Sequence, residues 1–233
     1  MANQIAALLK GVELFSALDE DQLVSIASLA RERKFKKGEK MIQEEESDCQ
    51  ALYLIVEGEA TVSILLSEGR EVILSLLTKG DFFGEMSLLD GEPRSASVRA
   101  ERDSLVVMIR RNDLLDLLRK MPDLSLSLLE QLSKRLRRAN RQIGSLATLS
   151  ALGRVADVLL HLIEERGVRI PHPDYGSIVM IKGMPSRQQL AEMSATTRES
   201  VSRSLSELKR RGVIAINGRD LVIINEKLLQ NEV

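Results

Sequence analysis

The chain has 233 residues, 44% of them apolar, and a formal net charge of −1; this suits one large or two modest globular domains and excludes a disordered chain. No run of about 18 apolar residues is present, so no membrane span is expected, and residues 1–11 lack the pattern of a signal peptide. One cysteine, Cys49, excludes an intrachain disulfide, and with only His161 and His172 beside it no intrachain zinc or iron–sulfur site can form, so the expected home is the cytoplasm.

Residues 5–31 read as short helices. Asp19, with Gln22 three residues on, makes a helix entry. Leu23, Ile26, Ala27 and Ala30 then form an apolar stripe. From Arg33 to Ile109 β-branched and apolar runs recur between glycine turns: Lys40–Gln43, Ala51–Val56, Ala60–Leu66, Glu71–Leu77, Ser97–Ala100 and Leu105–Ile109. The turns fall at Gly38, Gly58, Gly69 and Gly80, a spacing that predicts an antiparallel barrel or sandwich. From Glu39 to Glu59 the count is seven acidic residues to one lysine. Cys49 in this stretch reads as an ordinary loop thiol.

Within this region lies Gly80-Asp81-Phe82-Phe83-Gly84-Glu85-Met86-Ser87-Leu88-Leu89-Asp90-Gly91-Glu92-Pro93-Arg94-Ser95-Ala96-Ser97. Gly84 permits a sharp turn and close approach of a ligand. Glu85 to Leu89 suit about one helical turn with free N–H groups. Arg94 supplies a planar fork of donors for phosphate oxygens, and Ser95 a hydroxyl. Glu85 is an acceptor with no cation in the same stretch, which suits a sugar hydroxyl.

Phe83-Gly84-Glu85, Leu88-Leu89 and Pro93-Arg94-Ser95-Ala96, in that order, resemble the phosphate-binding cassette of cyclic-nucleotide-binding domains. The resemblance implies a β-roll in which Glu85 holds the ribose 2′-OH and Arg94 and Ser95 hold the cyclic phosphate, with Gly84, Met86, Ser87 and Ala96 also at the ligand. Glu45 stands where such domains often carry glycine, so the loop after Gln43 is expected to differ.

Residues 110–121 return to helix, ending near Pro122. A longer helix is expected from about Asp123 to Ala147. Leu129, Leu132, Leu136, Ala139, Ile143 and Leu146 alternate by three and four residues, a heptad seam that can pair two helices or pack on the chain's own core. A further helix, Ser150 to Arg166, carries Val155, Leu159, Leu162 and Ile163 on one side; His161 beside them reads as structural. Residues 167–182 hold two prolines and a short strand, Ile178–Ile181, and His172 there has no assigned role.

From Gly183 to Arg219 the balance reverses, to seven basic residues against three acidic. Ser186 to Gln189 form a capping box. Ser194-Ala195-Thr196 interrupts the pattern, and a second helix is expected from Thr197 to Arg211, stopping at Gly212. Two short helices with a tight turn are the helix-turn-helix signature, and Val213–Ile216, Asn217-Gly218 and Leu221–Ile224 add a wing. Val201, Leu205 and Leu208 form the buried stripe of the second helix. Arg198, Glu199, Ser202 and Arg203 share another face, where arginine reads guanine and glutamate accepts from cytosine. The alternative is a solvated face in which Glu199 pairs with Arg203 or caps the helix behind Thr196. Arg187, Thr197 and Lys209 complete the expected DNA contacts, Arg187 and Lys209 at phosphates.

Arg198-Glu199 followed by Arg203 resembles the recognition helix of cyclic-AMP receptors. Taken whole, the chain resembles the transcription factors of the cyclic-AMP receptor and fumarate-nitrate regulator superfamily. This implies an α+β architecture: a cyclic-nucleotide-binding β-roll (1–122), a long dimerisation helix and hinge (123–149) and a C-terminal winged helix-turn-helix (150–233). It further implies a homodimer, a palindromic double-stranded DNA site with TGTGA-like half-sites, and RNA polymerase as a further partner. The expected effector is cyclic AMP. The hydroxyl pair that the cyclic-AMP branch presents to adenine is matched here by Ala139-Asn140, so cyclic GMP, cyclic di-GMP and a ligand-independent regulator stay open. No catalytic nucleophile–base pair is found, and no enzyme is expected.

Overall fold

A computed structural model describes residues 2–47, 51–69, 71–173 and 175–233; the reading of Cys49 falls outside them. The chain forms two compact units, residues 1–137 and 138–233.

The first unit opens with α1 (Ala2–Leu9), a 3-10 turn at Glu13–Phe15 and α2 (Glu20–Leu29). The expected box starts α2: the Asp19 carboxylate accepts from the Gln22 amide at 2.8 Å, and the Gln22 side chain accepts from the Asp19 amide at 3.0 Å. The roll follows as β1 (Arg31–Phe35), β2 (Lys40–Ile42), β3 (Ala51–Glu57), β4 (Ala60–Leu65), β5 (Glu71–Leu77), β6 (Phe82–Phe83), β7 (Ser97–Ala100) and β8 (Ser104–Arg110). Its two antiparallel sheets run β1-β8-β3-β6 and β2-β7-β4-β5. A short α3 (Met86–Asp90) sits between β6 and β7, and α4 (Arg111–Lys120) follows β8.

Strand β3 explains the packing. Its apolar run Ala51–Val56 is buried on both faces. Leu52, Leu54 and Val56 join Ile5, Phe15, Ile26, Ile109 and Leu114 in a core beneath the helices. Ala51, Tyr53 and Ile55 face the other way, into a core with Phe35, Ile42, Phe83 and Val98. Tyr53 and Phe83 stack there with centroids 5.1 Å apart. Each fully buried Leu or Ile contributes about 1.5–3 kcal/mol.

Helix α5 (Pro122–Thr148) begins at the proline expected to end its predecessor; at a first helical position the missing N–H costs nothing. Leu124 and Leu128 are buried in the helix-covered core, and Leu132 packs against it. Leu132, a residue of the expected pairing seam, thus also serves the chain's own core, the other packing open to this helix. The exposed apolar residues of α5 are Leu126, Leu129, Leu136, Ile143 and Leu146, 52–65% accessible.

Strand β1 was unforeseen. Its Arg31-Glu32-Arg33-Lys34 run is exposed throughout, at a sheet edge, and shows no alternation; charge there discourages pairing with other chains. Glu45 does not redirect its loop by avoiding glycine's conformation. It adopts φ +66° itself.

The second unit continues from α5 into α6 (Ala151–Arg166), β9 (Gly167–His172), β10 (Gly176–Ile181), α7 (Arg187–Met193), α8 (Arg198–Arg210), β11 (Ile214–Asn217), β12 (Asp220–Ile223) and α9 (Glu226–Gln230). Its sheet runs β11-β12-β10-β9. Strand β9 was also missed; Pro171 obscured it, and an edge strand tolerates proline. Helices α6, α7 and α8 pack on one another through Val155, Leu159, Leu162, Leu190, Val201, Leu205 and Leu208, all buried.

Candidate functional site

In the first unit the turn from β6 into α3 gathers the cassette. Gly84 has φ +84°, and a Cβ there would lie 2.8 Å from both the Ala51 carbonyl and Arg94 Nη1. Only glycine fits this close approach. Arg94 is buried, at 5% exposure, and Glu85 at 4%. Arg94 Nη1 donates to the Gly84 carbonyl at 2.6 Å and to Ser87 Oγ at 2.7 Å, and Nη2 donates to the Ala51 carbonyl at 3.2 Å. The guanidinium is thus fixed by the turn and by β3, and the Ser87 hydroxyl is engaged in holding it.

A loop braces the same arginine from behind. The Glu45 amide donates to the Arg94 carbonyl at 2.9 Å, and the Arg94 amide donates to the Glu46 carbonyl at 3.2 Å. Ser95 is exposed, and its hydroxyl donates to Met86 Sδ at 3.5 Å. A thioether is a weak acceptor, so a better one can displace it. Met86 is 51% exposed, while Ala96 is buried.

Glu85 does have a cation, which no local reading found. Arg135 of α5 donates from Nη1 to Glu85 Oε1 at 2.7 Å and from Nη2 to the Phe82 carbonyl. Its guanidinium lies 4.3 Å from the centroid of the Phe82 ring. Glu85 has no cation within its own stretch, as read, but across the fold the pair is charge-balanced, as a buried carboxylate needs to be. The available signal was that Arg135 follows Leu132 by three residues, and so shares the face of α5 that meets the roll.

The groups fit a cyclic nucleotide. A guanidinium and a displaceable hydroxyl suit the cyclic phosphate; a buried carboxylate keeps lone pairs for a hydroxyl. Ala139 and Asn140 belong to the second unit and are exposed.

In the second unit, Ser186 caps α7 with the expected box. Thr197 caps α8: its hydroxyl accepts from the Ser200 amide at 3.2 Å and donates to Ser200 Oγ at 3.0 Å. The third helical position is therefore Ser200, and Glu199 is not the cap. Nor does Glu199 pair with Arg203, whose Nη2 donates to Ser200 Oγ at 3.2 Å. Among the described residues the side chains of Arg198 and Glu199 have no hydrogen bond or ion pair, and both are exposed in the first turn of α8. Both bland readings of Glu199 fail. Ser202 is half-buried next to Arg203, and Arg187 is exposed at the start of α7. Lys209 lies in the last turn of α8, about 16 Å along the axis from Arg198, so it does not join that cluster.

Residues 32–121 match the family model described as cyclic nucleotide-binding domain, and residues 153–232 match that described as Crp-like helix-turn-helix domain. The cAMP-activated global transcriptional regulator CRP of Salmonella typhimurium is 35% identical over 175 residues, covering 75% of this chain and 80% of its own. The cyclic AMP receptor protein of Thermus thermophilus is 32% identical over 225 residues, covering 97% of this chain and 98% of its own. Among solved structures, FixK2 from Bradyrhizobium japonicum has a TM-score of 0.74 at 27% identity, covering 87% of this chain and 96% of that one.

Proposed function

The chain belongs to the cyclic-AMP receptor and fumarate-nitrate regulator family of cyclic-nucleotide-binding, DNA-binding transcription regulators, and from that premise we propose that cyclic AMP is its effector. The observation that carries the site is the buried Glu85–Arg94 constellation around Gly84. Arg94 and Ser95 hold the cyclic phosphate. Glu85, oriented by Arg135, accepts from the ribose 2′-OH. Asn140 meets the base. Two relatives whose names carry cAMP, one of them aligned over 97% of this chain, support adenine. A second reading, cyclic GMP, draws support from Ala139, which offers no hydroxyl to the base, and from Asn140, whose amide both donates and accepts.

On the DNA side, Arg198, Glu199 and Arg203 read a palindrome with TGTGA-like half-sites as part of a homodimer formed along α5. The unpaired state of Glu199 supports this reading, because a free carboxylate can accept from cytosine N4. Arg187 touches phosphate, and RNA polymerase is a partner of the DNA-bound dimer.

Isothermal titration with cyclic AMP, cyclic GMP and cyclic di-GMP tests the effector: cyclic AMP should bind most tightly, and preference for another nucleotide would replace it. Binding-site selection with the unmutated protein and Glu199→Ala tests the reading helix. Losing one base contact costs about 1–3 kcal/mol and relaxes one position in each half-site. An unchanged consensus in the variant would remove Glu199 from base reading.

A further inference from the structure

One guanidinium in the second unit joins two segments that are far apart in sequence. Arg154 lies in the first turn of α6. Its Nη1 donates at 3.0 Å to the carbonyl of Leu149, the residue that follows directly on α5. Its Nε donates at 2.9 Å to the carbonyl of Ser194, which closes α7. Ser194 is 2% exposed, so water cannot readily replace that donor.

The turn held in this way is conformationally demanding. Ala195, next in line, has φ +45°, a region that disfavours any residue with a side chain. The Thr196 amide donates back to the Ala191 carbonyl at 2.9 Å, and Thr197 then caps α8. The direction in which α8 leaves this turn therefore depends on Ser194 and Ala195 keeping their places. A planar fork can satisfy two carbonyls from one rigid group, which a lysine ammonium on its flexible stem cannot do as well.

We propose that Arg154 is the positioning residue of the recognition helix: it ties the turn before α8 to the α5–α6 junction, so the two move together. This rests on the DNA-reading role proposed for α8. Arg154 itself touches no base. Its effect is on sequence discrimination, through the aim of Arg198 and Glu199, and a shift at the junction is handed to the turn through the same two bonds.

The test uses the full chain with saturating cyclic AMP at one salt concentration. Arg154→Met keeps the stem and removes both bonds; Arg154→Lys keeps the charge. Affinities are measured for the selected duplex and for a scrambled duplex. In Arg154→Met the ratio of the two should fall at least tenfold while scrambled-duplex affinity stays within twofold. Arg154→Lys should recover part of the ratio. In parallel, hydrogen exchange at the amides of residues 195–197 should quicken at least tenfold in Arg154→Met, with residues 155–162 still protected. An unchanged ratio overturns the proposal. Equal losses on both duplexes with a lowered melting temperature also overturn it, because Arg154 is then only structural. If the unmutated protein fails to discriminate between the duplexes, the DNA-reading role is what has failed. The exchange measurement then still decides: wild-type exchange at 195–197 in Arg154→Met means that the guanidinium does not hold the turn.

Discussion

At the scale of single residues, Arg94 has two duties with separable signatures. It is fixed by two carbonyls and the Ser87 hydroxyl, so Arg94→Ala strips buried groups of their donor as well as removing a phosphate ligand. We expect nucleotide affinity to fall by the equivalent of about 2–5 kcal/mol and stability by about 1–3 kcal/mol. Ser87→Ala loses one bond to the guanidinium, and should reduce stability by about 1 kcal/mol while nucleotide binding persists. Calorimetric titration well below each melting temperature separates the two effects; full affinity in Arg94→Ala would mean the phosphate is held elsewhere. Much of this site was legible, because Gly84, Glu85, Arg94 and Ser95 stand close together in the chain. Arg135 was not, since it lies 50 residues beyond Glu85 and only the packing of α5 brings it back. Ser87 and Thr197 illustrate another limit. A hydroxyl at a candidate site looks alike in sequence whether it serves the ligand or, as here, a neighbouring arginine or a helix cap.

Among the elements, α5 carries one apolar stripe that is covered by the roll's core near its start and exposed further along. Leu132 serves the roll, whereas Leu136 and Ile143, 63% and 65% exposed, are open for pairing. Leu136→Asp with Ile143→Asp should abolish the dimer proposed along α5, because paired helices would have to desolvate both charges. Leu132→Asp should instead lower the stability of the first unit by about 2–4 kcal/mol. Light scattering and thermal unfolding distinguish these outcomes; a dimer of unchanged affinity after the double substitution places the interface elsewhere. The α5–α6 contact in the second unit is also pH-dependent. Glu165 accepts ion pairs from Arg138 at 3.1 Å and from His161 Nε2 at 3.1 Å. Burial alone raises its pKa, but the His161 hydrogen bond and the charges of His161, Arg138 and Arg166 outweigh burial and leave it below the ordinary carboxylate value. A lowered folded-state pKa stabilises above the unfolded value and is lost as pH falls through the folded one. The melting-temperature gap between the unmutated protein and Glu165→Gln should therefore be present at pH 7 and close in acid below the carboxylate range. A gap independent of pH would point to packing. Strand β5 was read to its ends, because an apolar run between the glycine turns at Gly69 and Gly80 marks it. Strands β1 and β9 escaped because a charged edge and a proline erase those marks.

For the whole molecule, the β-rich first part, the long helix and the winged helix were legible from the order of motifs, since strands and helices differ in periodicity. If cyclic AMP shifts the population of a DNA-competent state, it should tighten specific DNA binding by roughly 5–150-fold, and DNA should tighten cyclic AMP binding by the same factor. Fluorescence anisotropy in both directions measures the two factors; values of one would make DNA binding constitutive. A last consequence concerns the gene. Glu45 holds a backbone angle, φ +66°, that favours glycine, at a strain of roughly 1–2 kcal/mol. Glycine's greater unfolded-state freedom offsets about 0.4–1 kcal/mol of that. Glu45→Gly should thus raise the melting temperature and restore a Ser87→Ala protein; no rise would mean the angle is unstrained. Both glutamate codons become glycine codons through a single A-to-G transition, so the lineage carries a suppressor of roll-damaging mutations one base change away.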